Sequence, residues 1–265
     1  MDTQPRFISI IASADNHTFK ALRRTAEGSM IKKKGTTIVA GAKLVAEAVH
    51  RIPRQCLRLI VYEGFQHTDI AQMFARQGRL IVLKKALFRE IDIFNTQYAL
   101  LEIRVPQISA WEMMVYRVGC TLVLPFQDPV NIGTVVRSAV AFGVEHIVLL
   151  EEAAHPFHPK SIRASSGAVF SAQFFRGPGL VTLGQHLLRH NVPVFALDMQ
   201  GTPLQDIVFP RSFLLVAGCE GQGLPRDLNA NRIAIPMRGP VESLNAATAT
   251  ALALFYWSMH TQKTA

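Results

Sequence analysis

Residues that avoid water recur along this chain with a spacing that changes several times, and each change marks an element. From Asn16 to Gly28, NHTFKALRRTAEG carries its apolar residues at roughly helical spacing, with Asn16 placed as an N-cap. A basic loop, MIKKKG, follows. TTIVAG then predicts a strand, and AKLVAEAVHR a helix with Leu44, Val45 and Val49 on one face. LRLIVYEG reads as a strand, TDIAQMFARQG as a helix that stops at Gly78, and RLIVLK as another strand. KALFREIDI is a short helix, and YALLEIRVP a last strand ended by Pro106. Residues 1–105 are therefore expected to form a compact α/β unit.

ISAWEMMVYRVG interrupts the alternation, so residues 106–118 read as a linker, with Trp111 and Tyr116 available to pack on a neighbour. Beyond it the apolar runs become continuous. CTLVLPF suits a strand buried on both faces of a parallel sheet. The loop QDPVNIG, the helix TVVRSAVAFG and the strand HIVLLE complete one βαβ unit. VPVFALD, SFLLVAG and IAIP are further strands, and AATATALALFYWSMH a closing helix. Each strand runs into a loop rich in Gly, Asn, Glu or Ser. In open parallel sheets ligands bind at those carboxyl ends. Residues 119–265 are thus expected to be a parallel-sheet domain with its site on the strand-end loops.

Length and composition narrow the class. The 265 residues are 49% hydrophobic, enough for one or two domains with real cores. The start, MDTQPRF, is polar with no apolar run behind it, so no signal peptide is expected, and no run is long enough to span a bilayer. Three widely spaced cysteines, Cys56, Cys120 and Cys219, fit a reducing cytoplasm better than a disulfide framework or a zinc site. The nine histidines show no ligand spacing with carboxylates or cysteines, so no metal is expected. Net charge is +9, and residues 1–110 hold 17 Lys and Arg against 9 Asp and Glu, leaving the rest of the chain near neutral. A basic unit joined to a neutral one points to a polyanion-binding part and a chemistry part. Arg23, Arg24, Lys32, Lys33 and Lys34 are the candidate phosphate contacts.

Four loops carry the candidate chemistry. In QDPVNIGTVVR, Asn131 and Gly133 sit at a helix start, with Arg137 in its first turns; the set suits an anion, or Asn131 simply caps the helix. PKSIRASSGAVF clusters Arg163, Ser165, Ser166 and Gly167, either as a phosphate or ribose contact or as a helix end with a turn. LLVAGCEGQGLP surrounds Glu220 with Gly218, Gly221 and Gly223 straight after a strand, permitting close backbone approach to a ligand or a tight turn. In MRGPVESLN, Asn245 or Ser243 can cap the last helix. That helix is apolar on several sides, so it is expected to be buried in its own core or against another subunit.

In this order the four loops resemble the SpoU/TrmH family of SPOUT RNA methyltransferases. The resemblance covers roughly residues 119–260, and all three of its patterns are present: N-x-G-x-x-x-R at Asn131 to Arg137, G-x-E-G-x-G at Gly218 to Gly223, and S-L-N-x-x-x-A at Ser243 to Ala249. The first part is similar to the ribosomal-protein-like substrate-binding domain that often precedes this catalytic domain, although Ala40 stands where relatives often carry Glu and Ala99 where they often carry Gly. The resemblance implies a parallel-sheet SPOUT domain with a deep trefoil knot, a homodimer, and transfer of a methyl group from S-adenosylmethionine to a ribose 2′-hydroxyl of RNA. Ribosomal RNA is favoured over transfer RNA.

Carried over position by position, backbone groups of Gly218, Ile235 and Leu244 would hold the adenine and ribose of the cofactor, with Leu197 as an apolar wall. Ser243 and Asn245 would order the loop beside the reacting centre. Arg137 would bind a phosphate and stabilise the developing alkoxide, since an arginine stays protonated in proteins. Asn131 would hold Arg137, and Glu220 is an alternative base or orienting partner. Arg163 joins the expected RNA contacts. The rival expectation is a noncatalytic RNA-binding protein that keeps the fold; a second rival methylates a base atom, against which the N-x-G-x-x-x-R pattern favours ribose.

Overall fold

The computed structural model describes residues 10–66, 68–112, 118–188, 192–219 and 223–261. They form two compact units: Met1–Gln107 together with Phe157–Arg163, and Ile108–Pro156 together with Ala164–Ala265.

The first unit is a mixed five-stranded sheet. Its strands are β1 (Ile10–Ile11), β2 (Thr36–Ala40), β3 (Cys56–Tyr62), β4 (Leu80–Leu83) and β5 (Leu100–Arg104), in the order β1-β4-β3-β5-β2. β5 runs antiparallel to both of its neighbours. The helices are α1 (His17–Ala26), α2 (Ile31–Lys34), α3 (Ala42–Arg51), α4 (Asp69–Arg76) and α5 (Lys85–Ile91). Asn16 caps α1 by accepting the N–H groups of Thr18 and Phe19. The basic stretch expected as a loop is instead the single turn α2, stopped by Gly35 in the left-handed region (φ 62°), where glycine carries no Cβ penalty. Phe19, Leu22 and Ala26 of α1 pack with Leu87, Phe88 and Ile91 of α5 on the sheet face that carries Ile38, Ile60 and Leu100.

The second unit is a seven-stranded sheet with every pair parallel. Its strands are β6 (Ser109–Ala110), β7 (Gly119–Leu124), β8 (His146–Leu149), β9 (Gln173–Arg176), β10 (Val194–Pro203), β11 (Ser212–Val216) and β12 (Asn231–Ala234), in the order β12-β10-β11-β7-β8-β9-β6. Part of the stretch read as a linker is thus an edge strand: Ser109 and Ala110 pair with Phe175 and Arg176, and Trp111 packs on the core. Tyr116 lies outside the described residues. The helices are α6 (Pro129–Ala141), α8 (Leu180–Leu188) and α9 (Ala246–Thr261), while α7 (Pro159–Ala164) falls, all but its last residue, in the first unit.

Neighbouring strand residues are buried on both sheet faces. Val123, Val148, Leu214 and Val216 join Leu183 and Leu187 of α8, while Leu122, Ile147 and Leu215 are equally dry. That double burial is what continuous apolar runs in a parallel sheet require. α6 and α9 pack against each other.

α9 is buried on one side only within its own unit. Ala247, Thr250, Leu254 and Trp257 face inward, whereas Leu252 (41%), Phe255 (49%) and Met259 (51%) stay exposed along one stripe.

Candidate functional site

The carboxyl ends of β10 and β11, the segment after β12 and the start of α9 enclose a cavity of about 460 Å³. Leu197, Gly218, Ile235, Ser243, Leu244 and Asn245 all line it. These residues come from four separate stretches of sequence, brought together because parallel strands deliver their carboxyl ends to one edge.

Two local devices shape the cavity. β10 pairs with β12 through Leu197↔Ile233 and again through Thr202↔Ile233, so residues 198–201 leave the ladder as a bulge. This bulge places Asp198 and Met199 in the cavity wall. It needs glycine at 201, where a Cβ would stand 2.4 Å from the backbone nitrogen of Ile233. Gly218 answers a similar demand, since a Cβ there would lie 3.2 Å from the carbonyl oxygen of Leu197. Its missing side chain lets two strand ends converge and leaves backbone open to a ligand.

Charge at the rim is tied down. Arg232 pairs with Asp198 and donates through Nη2 to the carbonyl of Pro225 at 2.7 Å, joining the bulge to the loop before β12. The N–H of Gln200 holds the Asp198 carboxyl below the usual carboxylate range; Arg232 pulls the same way, against the effect of burial. Cys219, also in the wall, has its thiol pushed up to about 11 by burial and then by the nearby Glu152 carboxylate, so it stays a neutral thiol at pH 7.

The polar group at the mouth of α9 resolves residue by residue. Asn245 is the cap: its Oδ1 accepts the N–H of Ala247 at 2.9 Å and of Thr248 at 3.2 Å. Its Nδ2 donates to Oδ1 of Asn131 at 3.3 Å. Ser243 lines the cavity but does not cap the helix. Asn131 does not cap α6 either. Asp128 takes that role, accepting the N–H of Val130 at 2.8 Å, with Pro129 fitted to the first helical position.

Asn131 therefore sits inside the first turn of α6, buried, facing α9. Arg137 is six residues further on, which places its side chain about 120° around the helix and about 9 Å along it. Asn131 accepts a hydrogen bond from Asn245, a partner the carried-over pattern did not give it. Arg137 is exposed on α6 and does not line the cavity. Glu220 lies outside the described residues.

Arg163 belongs to the first unit, with its guanidinium 4.7 Å from the ring centroid of Phe94, a cation–π contact. The adjacent Ser165 is buried, and Ser166 and Gly167 both have positive φ, 51° and 89°, marking a tight turn. Arg23, Arg24, Lys32, Lys33 and Lys34 are all exposed. Asp198, Met199, Cys219 and Met237 are wall residues that motif reading passed over.

A family model described as the SpoU rRNA Methylase family matches residues 121–255. The chain is 38% identical over 251 residues to the "Ribosomal RNA small subunit methyltransferase G 2" of Syntrophobacter fumaroxidans; the match takes in 94% of this chain and 49% of that protein, so the chain spans about half of that relative's length. It is 27% identical over 254 residues to the 23S rRNA (guanosine(2553)-2′-O)-methyltransferase of Bacillus subtilis, covering 93% of this chain and 98% of the relative. An AdoMet-bound rRNA methyltransferase from Sinorhizobium meliloti shares the fold with a TM-score of 0.79 at 24% identity, covering 95% and 98% of the two chains. The family match runs from β7 into α9 and takes in the whole cavity wall together with Asn131 and Arg137: this chain belongs to the SpoU rRNA methylase family.

Proposed function

We propose that this chain transfers a methyl group from S-adenosylmethionine to a ribose 2′-hydroxyl of ribosomal RNA. The observation that carries the reading is the cavity: one enclosure of about 460 Å³ is lined by every residue expected to hold the cofactor. That volume falls within the range of small-molecule sites. The family and the 2′-O-methyltransferase named in the Bacillus relative support the same reaction.

S-adenosylmethionine supplies an electrophilic methyl group on a sulfonium that leaves as a neutral thioether. The open backbone at Gly218 fits a ligand that must approach the strand ends closely. Gly218, Ile235 and Leu244 would hold the nucleoside part against the apolar wall of Leu197. Asn245 fixes the start of α9, and Ser243 offers a hydroxyl in the adjoining loop.

The acceptor side is assigned to Arg137. Its planar cationic fork binds an RNA phosphate and stabilises the alkoxide as the hydroxyl loses its proton. Glu220 is proposed as the base or as an orienting partner. Asn131 acts through Asn245, keeping the donor loop in register with α6.

A homodimer belongs to the same proposal. The apolar stripe of Leu252, Phe255 and Met259 on α9 is an unsatisfied surface that a second copy would cover. Among the described residues no helix is long and apolar enough to cross a membrane; the proposed place of action is the cytoplasm, where the RNA is. The knotted threading of the SPOUT fold and the RNA-binding role of residues 1–105 are parts of the same reading.

The test is methyl transfer from labelled S-adenosylmethionine to total RNA from cells lacking the gene, followed by nucleoside analysis. Label in a 2′-O-methyl nucleoside of ribosomal RNA is expected. Label on a base would overturn the ribose assignment, and cofactor-free RNA binding without label would favour a noncatalytic binder.

A further inference from the structure

A second cavity, of about 400 Å³, lies in the first unit and is lined by Ala21, Thr25, Met30, Lys34, Thr36, Leu57, Arg58 and Glu102. It sits where β2 and β3 begin and β5 ends, because Thr36 pairs with Arg104 and Arg58 with Glu102. The same end of the sheet gathers Lys32, Lys33, Lys34, Arg54, Arg58 and Arg104 from three separate stretches, all of them exposed or half-buried. The lysine run is therefore part of a larger basic rim assembled by folding.

Beneath this rim is an acid where the pattern calls for an apolar residue. Leu100 and Glu102 share a face of β5, the face that α1 covers, and Glu102 is only 4% exposed. Burying a carboxylate is costly unless its oxygens are satisfied. Arg58 satisfies one of them: its Nε and Nη2 both reach Oε2, each at 2.7 Å. Among the described residues Oε1 accepts no hydrogen bond. A buried carboxylate with one idle oxygen, paired to a half-exposed arginine and lining a cavity under a basic rim, is a poor stabiliser and a good receptor.

We infer that this cavity receives an unpaired guanine of the RNA substrate, with Glu102 reading its Watson–Crick edge. The inference rests on the proposal above that the polymer is RNA. Guanine is the one common RNA base with two adjacent donors, N1–H and the N2 amine, on that edge; Oε1 would accept one of them, and Oε2, which keeps its contact with Arg58, would accept the other. Adenine and cytosine offer a donor beside an acceptor, and uracil a single donor between two acceptors. Ala21, Met30 and Leu57 supply apolar walls for the ring, and the half-exposed Arg58 side chain (39%) supplies a planar cation for its face. Lys34 and the remaining rim charges meet the flanking phosphates. Splayed single-stranded bases are how proteins read RNA sequence.

The experiment measures binding of guanosine, inosine and adenosine 5′-monophosphates to the full chain by calorimetry, with S-adenosylhomocysteine affinity read on the same samples. Guanosine monophosphate is expected to bind at least about tenfold more tightly than adenosine monophosphate, as a good bidentate base contact does, with inosine monophosphate, which lacks the N2 amine, in between. E102Q should erase the preference. A21M, which fills the cavity and leaves the Arg58–Glu102 pair in place, should abolish guanosine monophosphate binding even if E102Q folds poorly. Circular dichroism and unchanged S-adenosylhomocysteine affinity certify the fold. Equal affinities for the three nucleotides, no binding of guanosine monophosphate, or a preference that survives both substitutions would overturn the inference. Retained cofactor-product binding with no base preference sinks this inference alone. Guanine preference without cofactor-product binding sinks the proposed reaction and leaves the guanine site standing.

Discussion

Asn245 and Asn131, 114 residues apart in sequence, are joined by one hydrogen bond of 3.3 Å that couples the start of α9 to the first turn of α6. The bond is possible because the Asn245 amide divides its work, its oxygen capping α9 and its nitrogen reaching across. Asparagine is required for both tasks at once. Aspartate would cap equally well but has no donor, and serine would be too short to span the gap.

This division separates two effects. N245D should keep the thermal stability of the wild type to within about 0.5 kcal/mol, while N245A should lose about 1 kcal/mol with the cap. Both should weaken S-adenosylhomocysteine binding, because both release the donor loop from Asn131. Thermal melts beside calorimetry check this; a wild-type affinity in N245D would remove the bridge from the binding account.

R137A should fold and bind S-adenosylhomocysteine normally, because Arg137 does not line the cavity. Its single-turnover methyl transfer should fall by about a hundredfold or more, the usual scale for losing a donor that faces developing charge. Near-normal turnover would exclude Arg137 from the chemistry.

Replacing Lys32, Lys33 and Lys34 together by alanine should weaken RNA binding and lower the slope of log K against log salt by about 2, near 0.7 for each lost phosphate contact to a single strand. Cofactor affinity should not move. An unchanged salt slope would place the RNA elsewhere.

The Asp198 carboxylate, held by the N–H of Gln200 and by Arg232, sets an acid limit. A carboxyl held below its unfolded value of about 3.9 contributes stability that is present above that value and lost as pH falls through the lower folded one. The melting temperature of the wild type should therefore exceed that of D198N at pH 7 and approach it near pH 3. A gap that stays constant down to pH 3 would mean that the Asp198 carboxylate contributes nothing through its charge.

Sedimentation tests the exposed face of α9. The wild type should run as a dimer, and F255E together with L252E should run as a monomer with its secondary structure intact. A monomeric wild type would leave the stripe to some other partner.

Much of the cavity was readable from residues because its demands are chemical. Gly218 and Asn245 are there for backbone approach and capping, and both demands show in sequence. Asp198 and Met199 were not readable, since a four-residue bulge inside β10 leaves no periodic trace and DMQG looks like a strand ending in a loop. Asn131 was misplaced because Asp128 and Pro129, three and two residues earlier, make a better helix start. Glu102 was hidden by its neighbours: Leu101 and Ile103 make YALLEIRVP look wholly buried, and only the strand period reveals that an acid shares the inner face with Leu100. The basic rim was seen as one lysine run because Arg54, Arg58 and Arg104 join it only through strand pairing.

The bulge at residues 198–201 leaves the β10–β12 ladder after Leu197 and rejoins it at Thr202, both against Ile233. The strand pairs on either side do not themselves fix how many residues lie between them. The mouth of the cavity is therefore a part of interchangeable length set into a fixed frame. Descendants of this chain could widen it for bulkier donors, or narrow it, by slippage in four codons while the sheet keeps its register.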